Sequence, residues 1–271
     1  MSGVLERTLG LLECLTENPE GLPLGLIAEK LNMPASAAHR LLTELAQRGY
    51  VRQTRDQGDY VLTTKLVAMV LNYMGAAGIV DFAQPVLDRL ALAASEFVRL
   101  AVVDGGRLTW VGRAQGARRG LRYDPDIDGS ARLSCTASGH AWLMTMSDEA
   151  ALALVARQGF GRPEDYGPNA PTTALRLLAL LAEARKRGYS MTADSFAPGL
   201  SSMAMPVCRP DEAPVGVLSI AGPSVRMTPA RIAELAPLLH DAAREIALAS
   251  VASPLFASSR IVSGEQERGV G

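Results

Sequence analysis

The sequence has few of the residues that build disulfide frameworks and metal sites. Its 271 residues include three cysteines and three histidines. Cys14, Cys135 and Cys208 are far apart and odd in number, which favours reduced thiols in a cytoplasm over a disulfide framework. No histidine is spaced from a cysteine as zinc ligands are, so we expect no metal site and no cofactor.

Long apolar runs are missing as well. No segment stays apolar over the roughly 20 residues that a bilayer-spanning helix needs, and the N-terminus has no signal-peptide h-region. We therefore expect a cytoplasmic protein without membrane attachment. With 48% hydrophobic residues the chain can form a sizeable core in one or two domains. Its net charge of −1 means that any affinity for nucleic acid must come from a local basic patch.

Two short amphipathic helices are predicted within residues 24–50. Both repeat apolar residues at i, i+3, i+4 and i+7, which form one helix face. These are Leu24, Ile27, Ala28 and Leu31 in the first, and Ala38, Leu41, Leu42 and Leu45 in the second. Pro34 disfavours the α conformation of the residue before it and so ends the first helix. Gly49 has the position of a left-handed C′ residue after the second.

The other face of the second helix carries mostly hydrogen-bonding side chains: Ser36, Ala37, His39, Arg40, Thr43, Glu44 and Gln47. Such a helix suits the DNA major groove, although an ordinary αα-hairpin with a solvated face fits these residues equally well. Arg40 in particular is placed either to contact DNA or to form an i, i+4 pair with Glu44.

A β-hairpin is predicted directly after the second helix, from the strand-like runs 50–54 and 60–62. It would complete a winged helix-turn-helix, with Arg52 and Arg55 near a tip that can reach phosphate. Residues 30–65 hold six basic residues against three acidic ones, a net charge of +3. This local excess on a nearly neutral chain favours DNA binding over the solvated hairpin.

Residues 4–75 resemble the DNA-binding domain of the IclR family of bacterial transcriptional regulators. The resemblance lies in VLERTLGLLECL, LPLGLIAEKLNMPASAAHRLLTELAQRGYV and YVLTTKLVAM. It implies DNA contacts by Ser36, His39, Arg40, Thr43, Arg52 and Arg55. The family often has Lys-Ser-Thr at residues 35–37, where this chain has Ala-Ser-Ala. We therefore expect base recognition to depend on Ser36, His39, Arg40 and Thr43.

The rest of the chain alternates between helical and strand periodicity. A helix is predicted over 4–17, with Leu5, Leu9, Leu12 and Leu15 on its apolar face. Further helices are predicted from Thr64, and over 80–97, 136–146, 148–158 and 172–187, with a last one from Thr228-Pro229. Strands are predicted over 98–103, 107–112, 189–193, 203–209 and 215–221. A sheet with helices before, within and after it is an α+β domain.

This α+β region resembles the GAF-like effector-binding domain of the IclR family, with an antiparallel sheet. The matching motifs are LSCTASGHAWL (133–143), ARKRGYSMTADSFAPGLSSMAMPV (184–207) and VGVLSIAGPSVRMT (215–228). We therefore predict a winged helix-turn-helix domain over 1–63, a linker helix over 64–79 and an effector domain over 80–253. The composition loses its pattern after Ser253, which predicts a disordered tail over 254–271.

A site for a small organic acid is predicted between the helix that starts near Ala137 and the sheet. Its residues are Ala137, Ser138, Gly139, Thr192, Ser202, Ser219 and Ala221. Amides at a helix N-terminus can bind a carboxylate, and Ser219 and Ala221, two apart, share one strand face. Thr192 and Ser202 enter by the resemblance alone. The family often has an acidic residue at positions 192 and 195 and a second serine at 221, where this chain has Thr192, Ser195 and Ala221. One wall of the pocket is therefore expected to be less polar, which favours a larger or aromatic carboxylate.

Two further motifs have alternative interpretations. Residues 124–129 copy the first half of an EF-hand loop, but position twelve is Cys135 where calcium needs a bidentate glutamate. Ser138 and His140 could suggest a hydrolase. They lack the G-x-S-x-G pattern, however, and no acidic residue is placed to orient His140.

These observations predict a transcriptional regulator that is not an enzyme. Its partners would be double-stranded operator DNA, a carboxylate effector and further copies of itself in a dimer or tetramer. The resemblance implies pairing through the apolar face of Leu66, Val70 and Tyr73. Effector binding would then change the spacing of the two DNA-binding domains through the linker helix. The alternatives are a DNA-binding protein whose second domain only oligomerises, and the hydrolase.

Overall fold

The computed structural model describes residues 3–55, 58–77, 79–125 and 131–250. The chain divides into two compact units, Met1–Ala76 and Ala77–Gly271. The predicted tail over 254–271, the tip of the predicted wing at 56–57 and most of the calcium-like loop lie outside the described residues.

The first unit is a winged helix-turn-helix, as predicted. Its elements are α1 (Val4–Thr16), α2 (Leu24–Lys30), α3 (Ala35–Gln47), β1 (Val51–Gln53) and β2 (Tyr60–Leu62), followed by α4 (Thr64–Ala77). β1 and β2 pair antiparallel, with Arg52 opposite Val61. The predicted apolar faces of α2 and α3 meet α1 and the hairpin in one core, in which Ile27 and Leu42 are completely buried.

Left-handed residues end both helices of the motif. Asn32 has φ = 47°, and the next amide, that of Met33, donates to the Ala28 carbonyl over 2.9 Å. Gly49 has φ = 76°, as predicted, and the Tyr50 amide donates to the Leu45 carbonyl over 2.9 Å. These bonds satisfy carbonyls in the last turns of α2 and α3 and mark where each helix ends.

The orientation of α1 differs from the prediction. Its helical repeat was expected to align Leu5 and Leu9 with the inward residues, but these side chains are 72% and 49% exposed. Leu11, Cys14 and Leu15 are the residues buried against the rest of the unit. The apolar surface of α1 is wider than its contact with the rest of the unit, so part of it stays exposed. The hydrophobic periodicity of the sequence does not show which part is covered.

The second unit is the predicted α+β domain. Its elements are α5 (Ile79–Ala94), β3 (Phe97–Asp104), β4 (Arg107–Gln115), α6 (Ala137–Leu143), α7 (Asp148–Gln158), a short 3-10 helix (Pro163–Asp165), α8 (Ala174–Arg187), β5 (Ser190–Ala193), β6 (Leu200–Val207), β7 (Gly216–Pro223) and α9 (Pro229–Ala249). The five strands form an antiparallel sheet in the order β4-β3-β7-β6-β5.

Some predicted boundaries were wrong. α5 ends at Ala94 because Ser95 is left-handed with φ = 57°, so Phe97 begins β3 instead of closing a helix. α6 ends at Leu143, three residues before the predicted end. β6 begins at Leu200, where pairing with β7 and β5 extends the strand towards the turn.

The sheet has one helix layer on each face. α6 packs on β5, β6 and β7, and the core on this face joins Ala101, Ala204 and Val217 of the strands to helix residues such as Ala141 and Leu181. α5 and α9 pack against each other and against the alternate strand residues on the opposite face. Among the described helices, none combines the length and apolarity that crossing a membrane requires.

Candidate functional site

The polar side chains predicted to contact DNA form an exposed stripe on α3. Ser36, His39, Arg40 and Thr43 are all exposed, while Ala38, Leu41, Leu42 and Leu45 are buried on the opposite side. The stripe follows the i, i+3, i+4, i+7 spacing of one helix face. A short helix held by its leucines thus presents four hydrogen-bonding side chains to solvent, the form of an element that enters a major groove.

Arg40 is available at the centre of this stripe. The ion pairs of the described residues do not include one between Arg40 and Glu44, so the predicted alternative of an i, i+4 pair is absent there. The Thr43 hydroxyl donates to the His39 carbonyl over 2.8 Å and keeps its acceptor capacity.

The wing places two further arginines at the edge of the unit. Arg52 on β1 and Arg55 in the following turn are exposed, and the amide of Gly58 donates to the Arg55 carbonyl over 2.8 Å. Behind them, Lys65 Nζ donates to the Arg48 carbonyl over 2.6 Å and lies 4.3 Å from the Tyr50 ring centroid. These contacts, which sequence reasoning did not anticipate, fix the end of α3 to the start of α4.

In the second unit, the predicted effector residues of the sheet lie side by side. Strand register places Thr192 of β5 opposite Ser202 of β6, and Ser202 opposite Ala221 of β7. The Thr192 and Ser202 hydroxyl oxygens are 2.8 Å apart. Ser219, two residues before Ala221, faces the same side in the adjoining row. Thr192 and Ser202, which were predicted from the family resemblance alone, therefore lie beside Ser219 and Ala221, which were predicted from strand alternation.

The start of α6 is connected to these strands, but its amides are less available than predicted. The Ser190 hydroxyl donates to the Ala137 carbonyl over 2.6 Å. The expected free amide at Gly139 was wrong, because it donates to the Thr136 side chain over 3.0 Å as part of the helix cap. The first-turn amides of Ala137 and Ser138 remain, for which no acceptor is present among the described residues.

Glycine is required at position 139 by the close approach of the preceding loop. A Cβ built there would lie 2.3 Å from the Leu133 carbonyl oxygen. The same loop is held by Gln158, whose side chain accepts from the Leu133 amide and donates to the Ala131 carbonyl. The Ser195 hydroxyl donates to the Cys135 carbonyl over 2.8 Å. These positioning residues could not be predicted from the sequence, because each contact joins segments far apart in the chain.

The hydrolase alternative has no support from the position of His140. Its Nε2 lies 2.7 Å from the Ser134 carbonyl oxygen, which can only accept, so Nε2 carries the proton. The ring is completely buried, and desolvation lowers its pKa from the ordinary value. This histidine is therefore a neutral donor to the backbone at Ser134, not a base hydrogen-bonded to Ser138.

Cysteine and metal chemistry likewise find no support in the described residues. Burial raises the pKa of the Cys135 thiol to about 11, so this side chain stays protonated and unreactive. No group of three histidine, cysteine, aspartate or glutamate side chains is arranged to hold a metal ion within the described ranges. Residues 126–130 of the calcium-like loop lie outside those ranges.

Each of the two units matches a known protein domain. Residues 4–55 match the IclR helix-turn-helix domain, and residues 71–248 match the bacterial transcriptional regulator IclR C-terminal domain. The chain is 30% identical over 247 residues to the acetate operon repressor of Salmonella typhimurium, covering 90% of this chain and 89% of that protein.

Solved structures share the fold. An IclR transcriptional regulator from Alicyclobacillus acidocaldarius superposes with a TM-score of 0.78 at 20% identity, covering 92% of this chain and 99% of that one. An IclR homologue from Microbacterium hydrocarbonoxydans, complexed with 4-hydroxybenzoate, gives a TM-score of 0.75 at 21% identity over 93% and 100% of the two chains. With both domain models matched in order along the chain, the protein belongs to the IclR family of bacterial transcriptional regulators.

Proposed function

We propose that this protein is a cytoplasmic repressor that binds operator DNA through α3 and the wing. The observation that carries the proposal is the exposed stripe of Ser36, His39, Arg40 and Thr43 on a helix anchored by buried leucines. Arg40 would donate to a guanine in the major groove, while Arg52 and Arg55 would contact phosphates. The repressor names of the related proteins support the direction of the control.

The test begins with an operator obtained by selecting bound sequences from random duplex DNA. Arg40→Ala should weaken binding by about 1–3 kcal/mol and relax the preference at one base pair. Arg176→Ala removes the same side chain from an exposed position on α8 and should leave binding unchanged. Unchanged affinity and base preference for Arg40→Ala in gel-shift titrations would remove Arg40 from the recognition surface.

We further propose that the second unit binds an organic acid that controls operator affinity. The support is the adjacency of the hydroxyls of Thr192, Ser202 and Ser219 beneath the start of α6. Ala137, Ser138, Gly139 and Ala221 complete the proposed lining. The 4-hydroxybenzoate held by the Microbacterium homologue makes an aromatic acid a reasonable member of the class. The effector changes DNA affinity only as far as it binds the two states of the repressor unequally.

A bulky substitution tests the position of this site. Ala221→Phe would fill the space beside Ser202 and should abolish release of operator DNA by acids, with DNA binding itself retained. Ala193→Phe introduces the same ring on the opposite face of the sheet, at an exposed position of the edge strand β5, and serves as the control. If Ala221→Phe still releases DNA at wild-type concentrations of glyoxylate, pyruvate or a hydroxybenzoate, the site lies elsewhere.

The proposed active form is a symmetric dimer or tetramer. α4 exposes an unusual number of apolar side chains: Val67, Met69, Val70, Leu71 and Tyr73. Leu66, also in the predicted face, is partly buried. A symmetric oligomer would bind half-sites roughly 34 Å apart, or a multiple of that distance. A monomer in sedimentation, with a footprint over one unrepeated half-site, would contradict this arrangement.

A further inference from the structure

One acidic side chain lies at the edge of the exposed stripe on α3. Across Ala35–Gln47 the helix has a single carboxylate, that of Glu44, and this side chain is exposed. Glu44 follows Arg40 by four residues, which places it about one turn along the helix and about 40° around its axis. Phosphates border the major groove on both sides, so a carboxylate at this position opposes DNA binding unless a base donates a hydrogen bond to it.

The carboxylate of Glu44 is open to a ligand. Arg40 and Arg48 lie four residues before and after it, at the spacing of helix ion pairs. In the part of the first unit that the structure describes, neither arginine pairs with Glu44, and its carboxylate accepts no hydrogen bond. Ala37, which shares this side of the helix seven residues earlier, has only a methyl group. Glu44 therefore keeps both oxygens for an outside donor.

The hydrogen-bonding groups on the base edges decide which base suits this carboxylate, which can only accept. In the major groove, guanine presents N7 and O6 and thymine presents O4, and all of these are acceptors that repel a carboxylate. Adenine has the N6 donor beside the N7 acceptor, whereas cytosine has the N4 donor with no acceptor on its own edge. Cytosine is therefore the base that a glutamate in the groove selects.

We propose that Glu44 is a specificity-determining residue that accepts a hydrogen bond from N4 of a cytosine in the operator. The Cβ atoms of residues four apart on a helix are about 5–6 Å apart, and stacked bases are about 3.4 Å apart. The cytosine therefore lies one or two base pairs from the guanine assigned to Arg40. At other sequences the carboxylate faces base acceptors and phosphates, so Glu44 lowers the affinity for DNA without the operator.

This inference rests on the proposed operator binding by α3, and base-pair substitutions in the selected operator separate the two. Affinities for all four base pairs at each operator position are measured by fluorescence anisotropy. The wild type should prefer cytosine at the Glu44 position by about five- to a hundredfold, the range for one mismatched base pair. Glu44→Ala should lose this preference, and Glu44→Gln should shift it towards adenine, which glutamine binds through N6 and N7.

Duplex DNA without the operator gives a second readout. Glu44→Ala should bind it about two- to fivefold more tightly than the wild type, because one exposed repulsive charge is removed. The control is Glu13→Ala, which removes the same exposed carboxylate from α1, outside the α2–α3 motif. It should keep the wild-type base preferences and change non-operator binding less. Because both side chains are exposed, neither substitution should lower the melting temperature by more than a few degrees.

Wild-type base preferences at every position in Glu44→Ala would overturn the inference. Loss confined to the base pair that Arg40→Ala also relaxes would overturn it as well, because Glu44 would then only orient Arg40. An equal gain in non-operator affinity from Glu13→Ala would overturn the local repulsion and assign it to net charge. If Arg40→Ala weakens binding in these cases, operator binding by α3 stands and only the role of Glu44 fails. If no operator is selected from random DNA, both proposals fail.

Discussion

The buried ion pair between Glu96 and Arg226 gives the sharpest test of what stabilises the second unit. Glu96 is 3% exposed and accepts two hydrogen bonds from the Arg226 guanidinium, at 2.6 and 2.9 Å. Removing one partner of a buried pair typically costs about 3–5 kcal/mol. Because the Arg226 side chain remains 38% exposed to water and glutamine keeps one acceptor, we expect Glu96→Gln to cost about 2–3 kcal/mol.

Urea unfolding followed by tryptophan fluorescence measures this loss selectively. Both tryptophans, Trp110 and Trp142, belong to the second unit. With a slope of about 2 kcal/mol per M, the midpoint should fall by about 1 M or more. Glu245→Gln, which breaks the pair between Glu245 and Arg89 with side chains 55% and 60% exposed, should cost less than about 1 kcal/mol. Equal losses in the two variants would show that burial does not set the strength of the Glu96 pair.

Three further perturbations test other parts of the structure. Gly139→Ala should cost about 1–3 kcal/mol in the same urea assay, because the added Cβ would lie 2.3 Å from the Leu133 carbonyl oxygen. The lowered pKa of His140 means that the unfolded chain binds more protons, so stability should fall as pH drops below about 6.5. His140→Gln should reduce this dependence, whereas the same change at the exposed His240 should leave it intact. Arg52→Ala should lower the salt-dependence slope of operator binding by about one without changing base preference.

The DNA-binding half could be predicted because its signals are local. Each apolar face, of α2 and of α3, is set by residue spacing within one helix. The left-handed conformation of Gly49 could be predicted because a glycine directly follows the helical repeat. The prediction failed in α1. This helix has a wide apolar surface, and the sequence does not show which part of that surface the neighbouring elements cover. Leu5 and Leu9 satisfy the helical repeat as well as the buried Leu11 and Leu15 do.

The second unit was less predictable because its contacts join distant segments. Ser195 lies 60 residues from the Cys135 carbonyl that it binds, and Ser190 lies 53 residues from Ala137. Strand alternation showed that Ser219 and Ala221 share a face. Strand alternation does not show which strands are neighbours in the sheet. That Ser202 lies opposite Ala221 is therefore visible only in the folded structure.

The register of β3 and β4 shows most clearly what strand patterns leave out. From the turn at Asp104 and Arg107, an uninterrupted hairpin would place Gly112 opposite Arg99. A bulge between Leu100 and Ala101 shifts the register by one residue, so that Arg113 becomes the partner. Because side chains alternate with a period of two, a one-residue shift exchanges the two faces of the strand beyond it.

The bulge therefore moves two residues at once. Arg113 is brought to the face of the proposed effector site, and Gly112 turns towards α5, where an added Cβ would lie 2.8 Å from the Leu87 side chain. A larger residue at position 112 would oppose this register, because it would collide with α5. Glycine at 112 thus permits α5 to pack against the sheet in the register that places Arg113 opposite Arg99, and this register exists only in the folded hairpin.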